Sequence, residues 1–391
     1  MARRLEDILI AHQIYLQRLV PQLGAEQIKL IDKNNPQLRG ELISWLEKNE
    51  FYKLTKRQQD QLAVLRNKVF ALRGGGAISE AGLKYQGDML QLAEAEQLWI
   101  ANGVKDLGGK SLALSSTSAL TKMIERTPFV GKTLNNFYQK LSVDDTGRIM
   151  DTVRDGLNQG LTSNEIQTAV FGSKKLNYSD GILQNTRNYI NNTNTNSGVV
   201  RTTVNGVQNE AKRSLYEANS DIVDKVQYVA TLDFRTSSVC AGYDGDVFTL
   251  GKEPPLPQHI NCRSTYVPII EGIDIESSRP YVQDSRTRKQ REKDFQQDKR
   301  DTGDSLKQQR AKFKKDRIGL VSDKTSFQGW MKTQPVKYQN EYFGKTKADL
   351  FRKGNLDIKR MTDPLGKPYT IEELYKLNGK AFTKAGLTAP K

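Results

Sequence analysis

Apolar residues recur at helical spacing through the first third of the chain. His12 lies on or beside the apolar face of the first stripe and is predicted to be packed rather than catalytic. The glycines at 74–76 are predicted to end the third helix. Such stripes indicate helix-on-helix packing, within the chain or against neighbouring subunits. The four predicted helices carry their apolar stripes at residues 5–19, 38–46, 62–72 and 89–99.

A second run of predicted helices occupies the middle of the chain. Residues 149–157 share one apolar face. Thr162 and Glu165 have the spacing of a capping box, which predicts a new helix start. Residues 183–219 repeat apolar side chains at steps of three and four, which predicts one long helix. Its beginning is rich in Asn and Thr, and this composition places the true start near Ser197.

A small β-unit follows these helices. Apolar and polar residues alternate through residues 225–232, the pattern of a half-buried strand. The pair Asp244 and Gly245 lies between residues 239–243 and 247–250. This arrangement is typical of a β-hairpin, because both turn positions tolerate positive φ.

The same unit gathers both cysteines and one of the two histidines within 23 residues. Three prolines between 254 and 257 cannot donate to a strand ladder, so this segment is predicted to cross irregularly and to bring His259 and Cys262 towards Cys240. A disulfide between the cysteines would need an oxidising compartment, which nothing in the sequence indicates. Cys240 and His259 have the residue types of a nucleophile and its base, but the sequence shows no orienting residue or oxyanion motif.

Two further interpretations of this Cys–His–Cys group stay open. A structural zinc ion takes four ligands and the group supplies three, so Asp233 or Asp244 would have to complete the site. Alternatively, two buried thiols and a hydrogen-bonded histidine clamp a loop, with Arg235 and Arg263 paired to the two aspartates.

Residues 285–317 form a basic segment that cannot bury a core by itself. The segment holds 13 Lys and Arg against six Asp and Glu, a surplus of seven positive charges, and only four apolar residues. One interpretation is a solvated linker or surface helix. The other is an arm that contacts DNA phosphates without reading bases. The candidate phosphate contacts are Arg286, Arg288, Lys289, Arg291, Lys307, Arg310, Lys312, Lys314 and Lys315.

Residues 318–391 predict a small helical module. Thr325 or Ser326 caps a first helix that Pro335 ends, and residues 370–373 form a second capping box. A module of about 70 residues is marginally stable alone, so it is predicted to dock on another part of the protein.

Composition changes the picture in two ways. The 391 residues are 37% hydrophobic with a mean hydropathy of -0.64, which suits an extended protein of several segments. The formal net charge of +15 indicates an anionic partner. No run approaches the roughly 20 apolar residues that cross a bilayer, and residues 1–20 are amphipathic and charged, unlike a signal peptide, so synthesis in a cytoplasm is expected.

Two motif sets follow one another in the second half of the chain. The first consists of Thr231, Leu232, Asp233, Arg235, Thr236, Cys240, Asp244, Gly245, Pro255, His259, Cys262 and Arg263. The second consists of Ser326, Phe327, Trp330, Gln334, Pro335, Tyr342, Gly344, Leu350, Phe351, Gly354, Asp363, Gly366, Tyr369, Thr370, Glu373 and Leu374. Together they resemble the phage Mu F-like minor head proteins, also called the head morphogenesis family, over about residues 141–391. The wider family often shows a CxxC pair and a CRC sequence; Ser237 and Ser264 stand here at the extra cysteine positions, which weakens the zinc interpretation.

The resemblance implies a non-enzymatic virion protein that lies inside the capsid near the portal and acts in head morphogenesis, DNA packaging or genome delivery. Its implied partners are the portal protein, packaged double-stranded DNA without sequence preference, and other capsid or scaffold proteins, with several copies per particle. We therefore expect a predominantly α-helical α+β protein. Its expected parts are a helical N-terminal docking region (1–140), a Mu F-like core with a β-hairpin (141–280), the basic linker or arm (281–317) and the C-terminal module (318–391). The alternatives are a toxin or transferase enzyme in the C-terminal region, since Mu F-like domains are sometimes fused to such domains, and a zinc-stabilised DNA-binding module.

Overall fold

Most of the described residues are helical, and others form two three-stranded sheets, which confirms the predicted predominantly helical α+β class. This computed structural model describes residues 5–49, 56–129, 131–191, 199–273, 278–286, 288–363 and 366–390. Among the helices of those ranges, none has both the length and the apolar character needed to cross a membrane.

The N-terminal half is built from amphipathic helices, as their apolar stripes predict. They are α1 (Leu5–Asp32), α2 (Asn35–Lys48), α3 (Lys56–Val69), a π-helix (Phe70–Ile78), α4 (Ser79–Asp106), α5 (Thr117–Arg126), α6 (Leu134–Asn158), α7 (Ser163–Phe171), a 3-10 turn (Lys174–Leu176), α8 (Leu183–Asn191) and α9 (Val199–Ala218). The capping box of Thr162 and Glu165 is present at the start of α7. The predicted start near Ser197 lies outside the described residues.

The prediction that glycines 74–76 end the third helix is wrong. The chain continues through the π-helix directly into α4. Arg73 of this π-helix is fully buried, and its Nε donates to Asp145 at 2.9 Å. This buried ion pair stabilises the π-helix. A Cβ on Gly74 would lie 2.7 Å from the ring of Phe70. Glycine is therefore needed for close approach of the backbone and not for a helix stop.

Two apolar clusters hold the helices together. In one, α4 packs against α1, α5 and α9 around buried residues such as Tyr85, Met89 and Val207. In the other, α2 and α3 pack with α6 and α7 around residues such as Leu65 and Val153. Burial of these stripes is the main stabilisation available to helices of this kind.

A buried polar network crosses the first cluster. Glu96 is fully buried and accepts from His12 Nε2 at 2.5 Å, and Lys212 Nζ lies 3.2 Å from its other oxygen. Lys212 also donates to Thr265 Oγ1 at 2.8 Å. The ring of His12 stacks on Trp99 with centroids 4.1 Å apart, so His12 is packed, as predicted. The network links the first helix to the sheet of the core.

Two small sheets form the β-unit. The strands are β1 (Lys225–Val229), β2 (Leu232–Asp233), β3 (Val247–Thr249), β4 (Thr265–Ile269), β5 (Ser278–Val282) and β6 (Ile318–Ser322). The first sheet has the order β3-β1-β4 with antiparallel pairs. The second has the order β2-β5-β6, in which β2 runs parallel to β5 and β5 antiparallel to β6. The strand before the basic segment, β5, thus pairs with β2 of the core, and the strand after it, β6, pairs with β5.

The predicted β-hairpin around Asp244 and Gly245 is wrong in its first arm. Residues Ser238–Tyr243 form a short helix, α10, and β3 pairs with β1 instead. Ser237 starts α10 because its hydroxyl accepts from the backbone N–H of Cys240. The local turn signal is real, since Gly245 has a φ of +89°, but the turn joins a helix to a strand.

After β5, the described residues form further helices and the strand β6. The helices are α11 (Arg288–Thr302), α12 (Leu306–Arg317), α13 (Phe327–Lys332), α14 (Val336–Phe343), α15 (Lys345–Arg352), a 3-10 turn (Ile358–Met361) and α16 (Ile371–Ala385). Leu232 and Ala241 of the core share one buried cluster with Phe327, Trp330 and other residues of the C-terminal helices. The C-terminal module therefore docks on the core, and β5 crosses residue 280, where the sequence had suggested a boundary.

Candidate functional site

The structure brings the Cys–His–Cys group together. Helix α10 presents Cys240, and the irregular segment after β3 returns His259 and Cys262 to it, as predicted. Cys240 Sγ lies 3.3 Å from His259 Nε2 and 3.8 Å from Cys262 Sγ. Ser237 Oγ lies 2.9 Å from the same His259 nitrogen. The ligand atoms of the three residues lie within 4.8 Å of one another.

Hydrogen bonds set the protonation of this group. His259 Nδ1 donates to the backbone oxygen of Ile260 at 2.8 Å, which leaves Nε2 directed at Cys240. The hydrogen bond from Cys262 and the nearby His259 lower the pKa of Cys240 well below that of a free thiol, although burial opposes this. The pKa of Cys262 is raised because it donates to Cys240 and is buried. Cys240 is therefore the thiol that ionises first.

Two of the distances between the three donor atoms are close to those between the ligands of a tetrahedral zinc ion. With zinc–sulfur bonds of about 2.3 Å and zinc–nitrogen bonds of about 2.0 Å, tetrahedral edges are about 3.8 Å between two sulfurs and about 3.5 Å between sulfur and nitrogen. The corresponding distances here are 3.8 Å and 3.3 Å. A backbone partner for the second ring nitrogen is also typical of zinc-bound histidine.

Neither predicted carboxylate can complete the metal site, because both are held by arginines. Arg263 donates to both oxygens of Asp233, at 2.5 and 2.7 Å. Arg279 donates to both oxygens of Asp244, at 2.8 and 3.0 Å. Two hydroxyls adjoin the group: Tyr228 donates to Cys240 Sγ at 3.2 Å, and Ser237 Oγ lies 2.9 Å from His259 Nε2. Ser237 stands at the position where the Mu F-like resemblance places a further cysteine, so it is the candidate for a fourth donor.

The arginine pairing predicted for the motif is half right. Arg263 and Arg235 both pair with Asp233, Arg235 more loosely at 3.5 Å. The predicted pairing of Asp244 with one of them is wrong, since its partner is Arg279 of β5. Sequence reasoning missed Arg279 because it lies 35 residues from Asp244 and no local pattern marks it.

Asp244 joins three parts of the protein. Its carboxylate accepts from the backbone N–H of Ala230 at 2.6 Å and from that of Phe327 at 2.5 Å, besides Arg279. Thr236 also contacts the C-terminal module, because its backbone oxygen accepts from the Tyr342 hydroxyl at 2.6 Å. The motif residues thus hold the C-terminal module on the core.

The other two interpretations of the cysteines find less support in this geometry. The sulfur atoms are 3.8 Å apart, whereas a disulfide bond is about 2.05 Å long, so both cysteines are free thiols here. Cys240 and His259 are at the distance of a nucleophile and its base. Cys240 is only 2% exposed, however, and a substrate carbonyl cannot reach its sulfur in this conformation.

The basic segment is a helical hairpin, which we call the arm (residues 283–317). Helices α11 and α12 pack against each other through Phe295 and Phe313, and Gly303 turns the chain between them with a φ of +76°. The arm rises from the antiparallel pair of β5 and β6, where Val282 is opposite Ile318. The segment is therefore ordered at its base by a sheet and is not a free linker.

Eight of the nine predicted phosphate contacts have described side chains, and these divide into two groups. Three are held in ion pairs: Arg286 with Asp284 and Asp294, Arg291 with Asp284, and Arg310 with Glu292. The side chain of Arg288 lies outside the described residues. The other five are exposed and form no ion pair within the described ranges, and they are Lys289, Lys307, Lys312, Lys314 and Lys315.

Comparisons of this chain with protein-family models, with curated proteins and with solved structures found no match.

Proposed function

We propose that this chain is a phage minor head protein that lies inside the capsid near the portal and acts by positioning DNA and neighbouring proteins. The observation that carries the proposal is the arm, a basic helical hairpin whose exposed lysines include the five predicted contacts that form no ion pair among the described residues. The two motif sets that resemble the Mu F-like family support it. Amphipathic N-terminal helices would supply docking surfaces to the portal, to other capsid or scaffold proteins or to further copies.

The structure of the arm suits contact with a phosphate backbone. The ring contact of Phe295 with Phe313 and the ion pair of Arg310 with Glu292 hold the two helices together, and most of their other described residues are exposed. Lysine ammonium groups act as point charges on phosphates and carry no base information. Each contact releases condensed counterions, so affinity for duplex DNA should fall steeply with salt and be independent of sequence.

The arm is tested with a variant in which the five predicted lysine contacts, at 289, 307, 312, 314 and 315, become glutamine. If all five contact phosphates, the slope of log affinity against log salt for duplex DNA should become less steep by about 4 to 5. The matched control has the same net charge and replaces exposed, unpaired lysines elsewhere, at 110, 122, 174, 175 and 252. Fluorescence anisotropy on two duplexes of unrelated sequence measures both variants.

Equal slopes for the two variants would overturn the role of the arm, as would strong preference for one duplex. The head proposal has its own test in purified particles. Density for this chain should lie inside the capsid close to the portal axis, and density on the outer shell would contradict the proposal.

The Cys–His–Cys group supports a second role, as a structural zinc centre of the core. Cys240, Cys262 and His259 would hold the ion, with Ser237 or solvent in the fourth position. Zinc there would add folding stability and no chemistry of its own. The two tetrahedral edges and the backbone-held Nδ1 are the observations that favour it.

A further inference from the structure

Strand register places the Asp233 motif beside the base of the arm. In the parallel pair of β2 and β5, Asp233 is opposite Val282. Arg235 follows Asp233 by two residues, and Asp284 follows Val282 by two residues, so both leave the same end of the sheet. Arg291, in the first turn of the arm, is close enough for its charge to act on Arg235. We call this group of charged residues the root cluster.

Arginines outnumber carboxylates in the root cluster. Asp233 is shared by Arg263 and Arg235. Asp284 is likewise shared by Arg286 and Arg291, and Arg286 also reaches Asp294. Among the described residues of the cluster, four arginines therefore face three carboxylates.

Arg235 forms the loosest ion pair of the arginines in the root cluster. Arg263 already donates to both oxygens of Asp233. The guanidinium of Arg235 lies 3.5 Å from that carboxylate, longer than the about 2.7 to 2.9 Å of a charge-assisted hydrogen bond. Its side chain is 70% exposed. The planar fork of a guanidinium matches two oxygens of one phosphate group.

We infer that the root cluster is a phosphate site, bound through Arg235, and that its ligand is the phosphodiester backbone of duplex DNA. The inference rests on the proposed DNA contact and extends it, since the root cluster would extend the DNA-binding surface from the arm lysines to the Asp233 motif. Asp233 then has a positioning role: its carboxylate orients Arg235 while Arg263 neutralises it. An acidic protein surface is the competing occupant, and the experiment below separates the two.

Arg235→Gln removes the proposed contact, and Arg235→Lys keeps the charge but loses the fork. Arg126→Gln is the matched control, because Arg126 is an exposed arginine of α5 without an ion pair in the described part of the chain. Inorganic pyrophosphate is the first probe, measured by calorimetry in a protein that also carries the five arm substitutions, so that those lysines cannot contribute. Duplex DNA is the second probe, measured in the otherwise unchanged chain.

Arg235→Gln should weaken pyrophosphate binding about tenfold, the effect of losing one charge-assisted contact, and Arg235→Lys should lie between it and the unsubstituted residue. For duplex DNA, Arg235→Gln should make the salt slope less steep by about one. Arg126→Gln should change neither. Because Arg235 is exposed, thermal unfolding should be the same for all three variants.

If Arg235→Gln and Arg126→Gln behave alike with both probes, the inference is overturned, whatever the arm lysines do; binding of an acidic protein alone would give this result. If pyrophosphate binding depends on Arg235 but the chain does not bind duplex DNA, the site is a phosphate site and the DNA ligand is refuted together with the proposed function. If only the arm variant loses DNA affinity, the proposed function stands and the root cluster plays no part in it.

Discussion

Replacing Asp244 by asparagine tests whether its buried ion pair holds the C-terminal module to the core. The side chains of Asp244 and Arg279 are 0% and 4% exposed, so neither charge is compensated by solvent. Asparagine keeps the size of the residue but removes the negative charge and one acceptor. Arg279 would then be a buried cation without a counter-ion, which costs about 3 to 5 kcal/mol.

A control of the same chemistry lies two residues away. Asp246 pairs with Lys359, and the two side chains are 34% and 57% exposed. Pairs of that exposure contribute at most about 1 kcal/mol. The two variants therefore make the same chemical change in the same loop and differ in burial.

Urea unfolding followed by tryptophan fluorescence measures the free energy of unfolding of both variants. Asp244→Asn should lose at least about 3 kcal/mol and Asp246→Asn less than about 1. In a double variant with Arg279→Met, the loss should be smaller than the sum of the two single losses, because the uncompensated cation is gone. Equal losses for Asp244→Asn and Asp246→Asn would refute the reasoning.

Two further predictions concern the metal and pH. Protein purified without chelator should hold about one zinc ion per chain by elemental analysis, and Cys240→Ser or Cys262→Ser should abolish zinc binding. Clearly less than one ion in the unsubstituted protein would refute the zinc centre and its contribution of roughly 10 kcal/mol to folding. Burial opposes ionisation of Asp233, but Arg263 and its neighbours outweigh it and lower the pKa to about 2. Since the folded pKa is the lower one, the stabilisation is present above the unfolded pKa and should be lost as pH falls from about 5 towards 2, by roughly 2 to 3 kcal/mol. Unfolding free energies of Asp233→Asn should lack this pH dependence, and parallel curves for the two proteins would contradict it.

Local signals predicted the helices, because the information for a helix lies within a few residues. The apolar stripes gave the N-terminal helices, and the capping boxes starting at Thr162 and Thr370 are both present. The prediction failed where two local signals compete. Around Asp244 and Gly245 the turn favours a hairpin, but the cap at Ser237 starts a helix before the turn.

Contacts between distant residues could not be predicted in the same way. The sequence indicated that His259 and Cys262 return to Cys240, because prolines exclude a strand between them. It gave no sign of the parallel pairing of β2 with β5, which depends on a crossover through the whole β-unit. Arg279 was missed for that reason, since only this pairing brings β5 to Asp244.

The way in which the arm is joined to β5 and β6 determines which changes of sequence the fold can tolerate. The arm leaves the sheet after Val282 and rejoins it at Ile318, and these two residues face each other across β5 and β6. The backbone N–H of Gln283 donates to the oxygen of Arg317 at 2.8 Å, which closes the loop at its neck. A longer, shorter or different hairpin could therefore be attached at Val282 and Ile318 without disturbing the pairing of β5 with β6. Grafting at this position is therefore the natural way to give the scaffold a different reach or a different charge.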